Sequence, residues 1–92
     1  MKEVTVYSTT HCSYCRMAAQ FLTARGVPFK NIDVTGDDAM RTKLVELSGG
    51  MRTVPQIFIG GKSVGGYTDL VALERRGELD GMLSDESPVK PG

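Results

Sequence analysis

The joint between a strand and a helix holds both cysteines of this 92-residue chain, and that joint constrains everything around it. Val4-Thr5-Val6-Tyr7 has the β-branched and aromatic content of a strand, with Val4 and Val6 in phase. Arg16 to Arg25 is helix-like: Cys15, Ala18, Ala19 and Leu22 fall at i, i+3, i+4 and i+7, one face of a 3.6-residue period. Between the two runs stands Cys12-Ser13-Tyr14-Cys15, preceded by His11. Cys12 is therefore expected at a helix start, where unpaired N–H groups and the positive end of the helix dipole favour a thiolate over a thiol. Cys15, one turn further on, is expected to point toward the core, close enough to Cys12 for a disulfide. One activated thiol and one waiting thiol can carry redox chemistry.

Two structural readings of the cysteines are weaker. A structural zinc site needs four ligands, and Cys12, Cys15 and His11 supply three, with no second pair elsewhere. A purely structural disulfide closing so small a ring would constrain the unfolded chain little. Eleven basic and eleven acidic residues balance, so no electrostatic footprint for nucleic acid or an anionic membrane appears. Met1-Lys2-Glu3 runs straight into a strand, and no apolar stretch approaches the ~20 residues of a membrane span. A reducing cytosol is the expected compartment, where a lone cysteine pair is more often catalytic than structural.

The rest of the chain reads as one α/β domain over residues 1–83. Gly26 and Pro28 close the first helix, and a second strand over about Phe29 to Val34 completes a βαβ unit. Thr35 and Asp38 are expected to form a capping box for a second helix, with Met40, Leu44 and Leu47 inward. Gln56-Ile57-Phe58-Ile59 suits a strand buried on both faces. Gly60-Gly61 then turns into a short strand near Ser63-Val64. Gly65-Gly66-Tyr67-Thr68-Asp69 introduces a third helix with Leu70 and Leu73 inward, and a last helical turn covers Leu79 to Leu83. Residues 84–92 are polar with two prolines and are expected to be a mobile tail.

Three separated motifs now make the chain resemble a glutaredoxin: Cys12-Ser13-Tyr14-Cys15, Thr53-Val54-Pro55 and Gly65-Gly66-Tyr67-Thr68-Asp69. Any one would be weak, but all three in this order and spacing are specific, and the resemblance runs from about Val4 to Leu83. It implies a thioredoxin-like fold, a four-stranded mixed sheet flanked by three to four helices, with Pro55 as a cis-proline facing the cysteines. It also implies glutathione as co-substrate. Val54 would offer its N–H and C=O to an extended cysteinyl peptide, and Gly66, Thr68 and Asp69 would hold the γ-glutamyl end. Tyr14 would flank the bound tripeptide. His11 reads as a tolerated flanking residue, although a charge on it would further favour the Cys12 thiolate.

Two positions depart from the common family pattern. Thr9 stands where many glutaredoxins carry a lysine, so Arg52, beside Thr53, or Arg41 would have to replace its contact to the glycyl carboxylate. Ser13 stands where proline is common, and family members with serine there include some that hold a [2Fe–2S] cluster between two protomers. The leading expectation is a monomeric glutathione-dependent thiol–disulfide oxidoreductase needing no metal. Cys12 is its nucleophile and Cys15 its resolving thiol, acting on glutathionylated or disulfide-containing proteins. The alternative is a module that dimerises around a cluster through Cys12 and glutathione. A redoxin using another small thiol, or a flavoprotein reductase, is a third reading that the Gly65 to Asp69 turn disfavours.

Overall fold

Val4 and Val6 are each 1% exposed, which puts the first strand, β1 (Val4–Ser8), in the interior of the sheet. The computed structural model describes residues 1–84, so all but the first residue of the expected tail lies outside the described residues. After β1 come α1 (Ser13–Ala24), β2 (Lys30–Asp33), α2 (Asp38–Leu47), β3 (Gln56–Ile59), β4 (Lys62–Gly65), α3 (Tyr67–Arg75) and α4 (Leu79–Leu83). The four strands form one sheet in the order β2-β1-β3-β4. β1 and β2 run parallel, as strands joined by a helical crossover must, whereas β1 with β3 and β3 with β4 are antiparallel. The mixed four-stranded sheet with four helices is the expected architecture.

Alternation along β1 assigns its two faces. Val4 and Val6 meet Ala18 and Leu22 of α1, Ile57 and Ile59 of β3, Leu70 and Leu73 of α3, and Leu79 and Leu83 of α4 in one core. The opposite face is thinner: Val34, Leu44 and Phe58 are buried together, with Tyr7, Met40 and Val54 packed around them. Every residue of β3 is therefore buried, as its apolar run opened by one glutamine and covered on both faces implies. A fully buried leucine contributes about 1.5–3 kcal/mol relative to an exposed one, so the larger core carries most of the stability.

Helix α1 ends as its glycine predicts. Gly26 adopts a left-handed φ of 70°, the Gly26 N–H donates to Thr23 O at 3.0 Å, and the Val27 N–H donates to Leu22 O at 2.9 Å. These are the two bonds of a Schellman cap. Helix α2 corrects two expectations. Its cap is Asp37, whose Oδ1 accepts the Met40 N–H at 3.0 Å, and not a Thr35/Asp38 box. The hydroxyl of Thr35 is engaged elsewhere, as described below. Leu47, expected inward, is 53% exposed, because it is the last residue of α2 and lies outside the apolar cluster that Leu44 and Met40 reach. Among the described residues, no helix is long and apolar enough to cross a membrane.

Candidate active site

Cys12 is the N-cap of α1, in an extended conformation, and its Sγ accepts the Cys15 N–H at 3.1 Å. A negative sulfur at that position faces an N–H with no acceptor within the helix. The two cysteines are joined as a disulfide with their Cα atoms 5.2 Å apart. They are not equivalent: Cys15 is 6% exposed on the core face of α1, and Cys12 is half-buried at the helix mouth. The periodicity had separated them in this way.

The loop that delivers Cys12 holds His11 at φ 60°, the left-handed region. Such a conformation costs a non-glycine residue roughly 1–2 kcal/mol and persists only where neighbouring structure fixes it. The neighbour is the β2–α2 connection. The Thr10 N–H donates to Thr35 Oγ1 at 2.8 Å, and the Thr35 N–H donates to Asp33 Oδ1 at 2.8 Å. The Thr35 hydroxyl and N–H together hold the Asp33 carboxyl below the ordinary carboxylate value.

The second motif faces the first. The Val54–Pro55 peptide bond is cis, and the Val54 carbonyl oxygen lies 4.0 Å from Cys12 Sγ. Behind it, Gln56 is 2% exposed and its Nε2 donates to Met51 O at 2.8 Å. The Ser48 hydroxyl also reaches Met51 O, at 3.3 Å, and accepts the Met51 N–H at 2.9 Å. The loop from Met51 to Pro55 is thus tied to the end of α2 and to the start of β3. A glutamine opening an otherwise apolar strand was the available sign of this tie.

The third motif closes on the second. Gly66 is buried, and a Cβ on it would lie 3.2 Å from the Met51 methyl and 3.4 Å from Pro55 O. Helix α3 (Tyr67–Arg75) begins within the third motif, with Gly66 as N-cap. Asp69 is its third residue, and Oδ2 accepts the Gly66 N–H at 2.8 Å. Gly65 has φ 102°, and a Cβ there would run into that carboxylate, so only glycine fits. Thr68 is exposed in the first turn, where the N–H groups have no acceptor within the helix.

Tyr14, 56% exposed, stacks on Tyr67 with ring centroids 6.1 Å apart and planes at 27°, and Tyr67 meets the edge of Phe21 at 6.5 Å. Tyr67 was present in the third motif but had no expected partner. Arg52 and Thr53 are exposed beside Val54. Arg41 donates from Nη2 to Arg52 O at 3.2 Å, and the two arginines line one depression with Asp38, Thr42 and Val45. Contacts therefore link the cysteine pair to the cis-proline loop and that loop to the glycine turn, with a stacked tyrosine pair spanning α1 and α3. Among the described residues no group of three or more His, Cys, Asp or Glu side chains is arranged to hold a metal ion.

The glutaredoxin family model matches residues 4–64. A glutaredoxin of Pseudomonas aeruginosa is 46% identical over 84 residues, covering 91% of this chain and 99% of that protein. Glutaredoxin 3 of Escherichia coli is 41% identical over 83 residues, covering 90% of this chain and 99% of its own. Among solved structures, a buckwheat glutaredoxin–glutathione complex superposes with a TM-score of 0.81 at 34% identity, over 87% of this chain and 74% of that one.

Proposed function

Since the chain belongs to the glutaredoxin family of thiol–disulfide oxidoreductases, we propose that it uses glutathione, with Cys12 as nucleophile and Cys15 as resolving thiol. The observation that carries this reading is the asymmetry of the pair. Cys12 Sγ sits at the helix mouth on an N–H donor and opposite the Val54 carbonyl, while Cys15 Sγ is turned into the core. A thiolate on Cys12 would attack the glutathione sulfur of a glutathionylated substrate. The substrate leaves as its thiolate, and Cys12 is left as a mixed disulfide with glutathione. A second glutathione thiolate attacks the glutathione sulfur of that mixed disulfide, releasing glutathione disulfide and returning the Cys12 thiolate. On a protein disulfide, Cys12 forms the mixed disulfide and the Cys15 thiolate attacks Cys12 Sγ. That step expels the second substrate thiolate and gives the Cys12–Cys15 disulfide, which two glutathiones then reduce.

The geometry around Cys12 supports a glutathione seat. Val54, preceding cis-Pro55, offers main-chain groups beside the sulfur, as an edge strand would to an added peptide. The start of α3 at Gly66 to Asp69 takes the γ-glutamyl end: first-turn N–H groups for its carboxylate, and the Asp69 carboxylate for its ammonium. With Thr9 lacking a charge, the depression between Arg41 and Arg52 takes the glycyl carboxylate. Tyr14 covers the remaining side. The glutathione bound by the buckwheat relative supports this co-substrate. The protein is proposed to act as a monomer in the cytoplasm on glutathionylated or disulfide-containing proteins.

The test is turnover of a glutathione mixed disulfide in the presence of glutathione and glutathione reductase. Steady turnover that fails when glutathione is replaced by a simple monothiol is the expected result. A brown dimer absorbing in the visible, without turnover, would instead support the cluster-holding alternative that Ser13 raised.

A further inference from the structure

A contact that reaches the Cys12 loop from a distant part of the chain is the hydrogen bond from Thr10 N–H to Thr35 Oγ1, across 25 positions of sequence. Its surroundings are specific. Val34, next to Thr35, is 1% exposed and its N–H donates to Ser8 O at 2.8 Å, so the end of β1 is already tied to the β2–α2 connection. Ser8 is itself buried and its hydroxyl donates to Asn31 Oδ1 at 2.6 Å. Thr35 is then oriented by the Asp33 carboxylate through its N–H at 2.8 Å, which leaves its oxygen aimed at Thr10, whose own hydroxyl lies 3.4 Å away. One residue after Thr10 the chain passes through the left-handed His11, and the next residue is Cys12.

We infer that Thr35, oriented by Asp33, is a positioning residue for the nucleophile: its hydroxyl holds the Thr10 to His11 turn so that Cys12 Sγ stays on the Cys15 N–H. Neither residue touches the sulfur. Thr35 acts through the loop, whose left-handed, non-glycine His11 relaxes when its tether is removed. Once His11 relaxes, Cys12 loses its alignment with the helix start, and with it part of the preference for thiolate. The same exposed threonine would otherwise have served as the α2 cap. Asp37 does that work instead, which frees the Thr35 oxygen for the loop.

This inference rests on Cys12 being the reactive thiol, so its deciding measurement is made on that sulfur without glutathione. In a Cys15→Ser background, where Cys12 is the sole thiol, the rate of alkylation by iodoacetamide at neutral pH is measured for the parent, Thr35→Val and Thr35→Ser. Thr35→Val keeps the side-chain shape and removes the hydroxyl. A threefold or larger drop in rate is expected for Thr35→Val, with Thr35→Ser restored to within about twofold of the parent. In the Cys15-containing enzyme, Thr35→Val is expected to lower kcat while leaving the KM for glutathione within twofold. Thermal unfolding by circular dichroism verifies that each variant is folded. If Thr35→Val does not fold, Asp33→Asn, which keeps every volume and weakens the hold on Thr35, is read in the same way. Alkylation of a folded Thr35→Val at the parental rate would overturn the inference, as would failure of Thr35→Ser to recover. Loss of turnover with unchanged alkylation would point to glutathione binding rather than to this tether.

Discussion

The Cys15 N–H points at Cys12 Sγ from 3.1 Å, so the buried cysteine's own backbone is placed to stabilise a negative charge on the half-buried one. Any replacement of the Cys15 side chain that preserves the helix leaves that N–H in place. Replacing Cys12 removes the acceptor and the nucleophile together. Cys12→Ser should therefore abolish deglutathionylation, whereas Cys15→Ser should keep much of it and lose reduction of protein disulfides. Parallel assays with a glutathione mixed disulfide and with a protein disulfide check this, and equal losses in both variants would contradict the roles given.

In the reduced protein the same N–H and the positive end of α1 favour the anion. Cys12 should titrate below the ~8.5 of an ordinary thiol. The rate of alkylation against pH gives the midpoint directly. A Cys12 midpoint at or above the ordinary value would remove the N-cap as a source of activation.

Asp69 is engaged twice: Oδ2 accepts the Gly66 N–H as a cap, and the carboxylate is the group proposed to meet the ammonium of glutathione. Asp69→Asn separates the two, because an amide oxygen still accepts the N–H but carries no charge. It should stay near parental stability while weakening glutathione use by about 1–3 kcal/mol, the range for a hydrogen bond to a charged group. Asp69→Ala should do both, adding about 1 kcal/mol of lost stability. Urea unfolding and kinetics with glutathione against a simple dithiol distinguish the two effects. Unchanged glutathione kinetics in Asp69→Asn would leave the residue as a cap.

Asp33 gives the protein an acid-sensitive tie. Its folded carboxyl lies below its ordinary value because Thr35 donates to the ionised form. A group depressed in this way adds stability above the unfolded value of about 3.9 and loses it as pH falls through the folded value. The urea midpoint of the parent should exceed that of Asp33→Asn by a constant margin above about pH 5, and the margin should close below about pH 4. A margin that persists into stronger acid would mean that ionisation of Asp33 contributes nothing.

Much of this was legible in the sequence because its cause was local. The helix start at Cys12, the inward turn of Cys15 and the Gly26 cap follow from spacing and backbone preference over a few residues. The burial of Ile57, Phe58 and Ile59 in β3 follows from their apolar run. The site as a set of three motifs was legible through family resemblance. What was not legible depended on partners far along the chain. Thr35 looked like a cap because a threonine three positions before an acidic residue usually is one, and nothing near it reveals Thr10. The Tyr14–Tyr67 stack joins α1 to α3 across more than fifty residues, and Leu47 keeps helical phase yet lies outside the apolar cluster that Leu44 and Met40 reach. Such outcomes are settled by tertiary placement, which periodicity does not encode.

The position of β1 in the middle of the sheet has a consequence for biogenesis. Val4 and Val6 are synthesised before the residues that bury them, which include Ile57 and Ile59 of β3 and, from the last helices, Leu70, Leu79 and Leu83. The βαβ half that carries both cysteines therefore leaves the ribosome with one edge of its central strand unpaired and one face of its core open. Chains truncated before Leu79 should remain sensitive to protease along β1 and α1, and protection should arrive only when α4 is included.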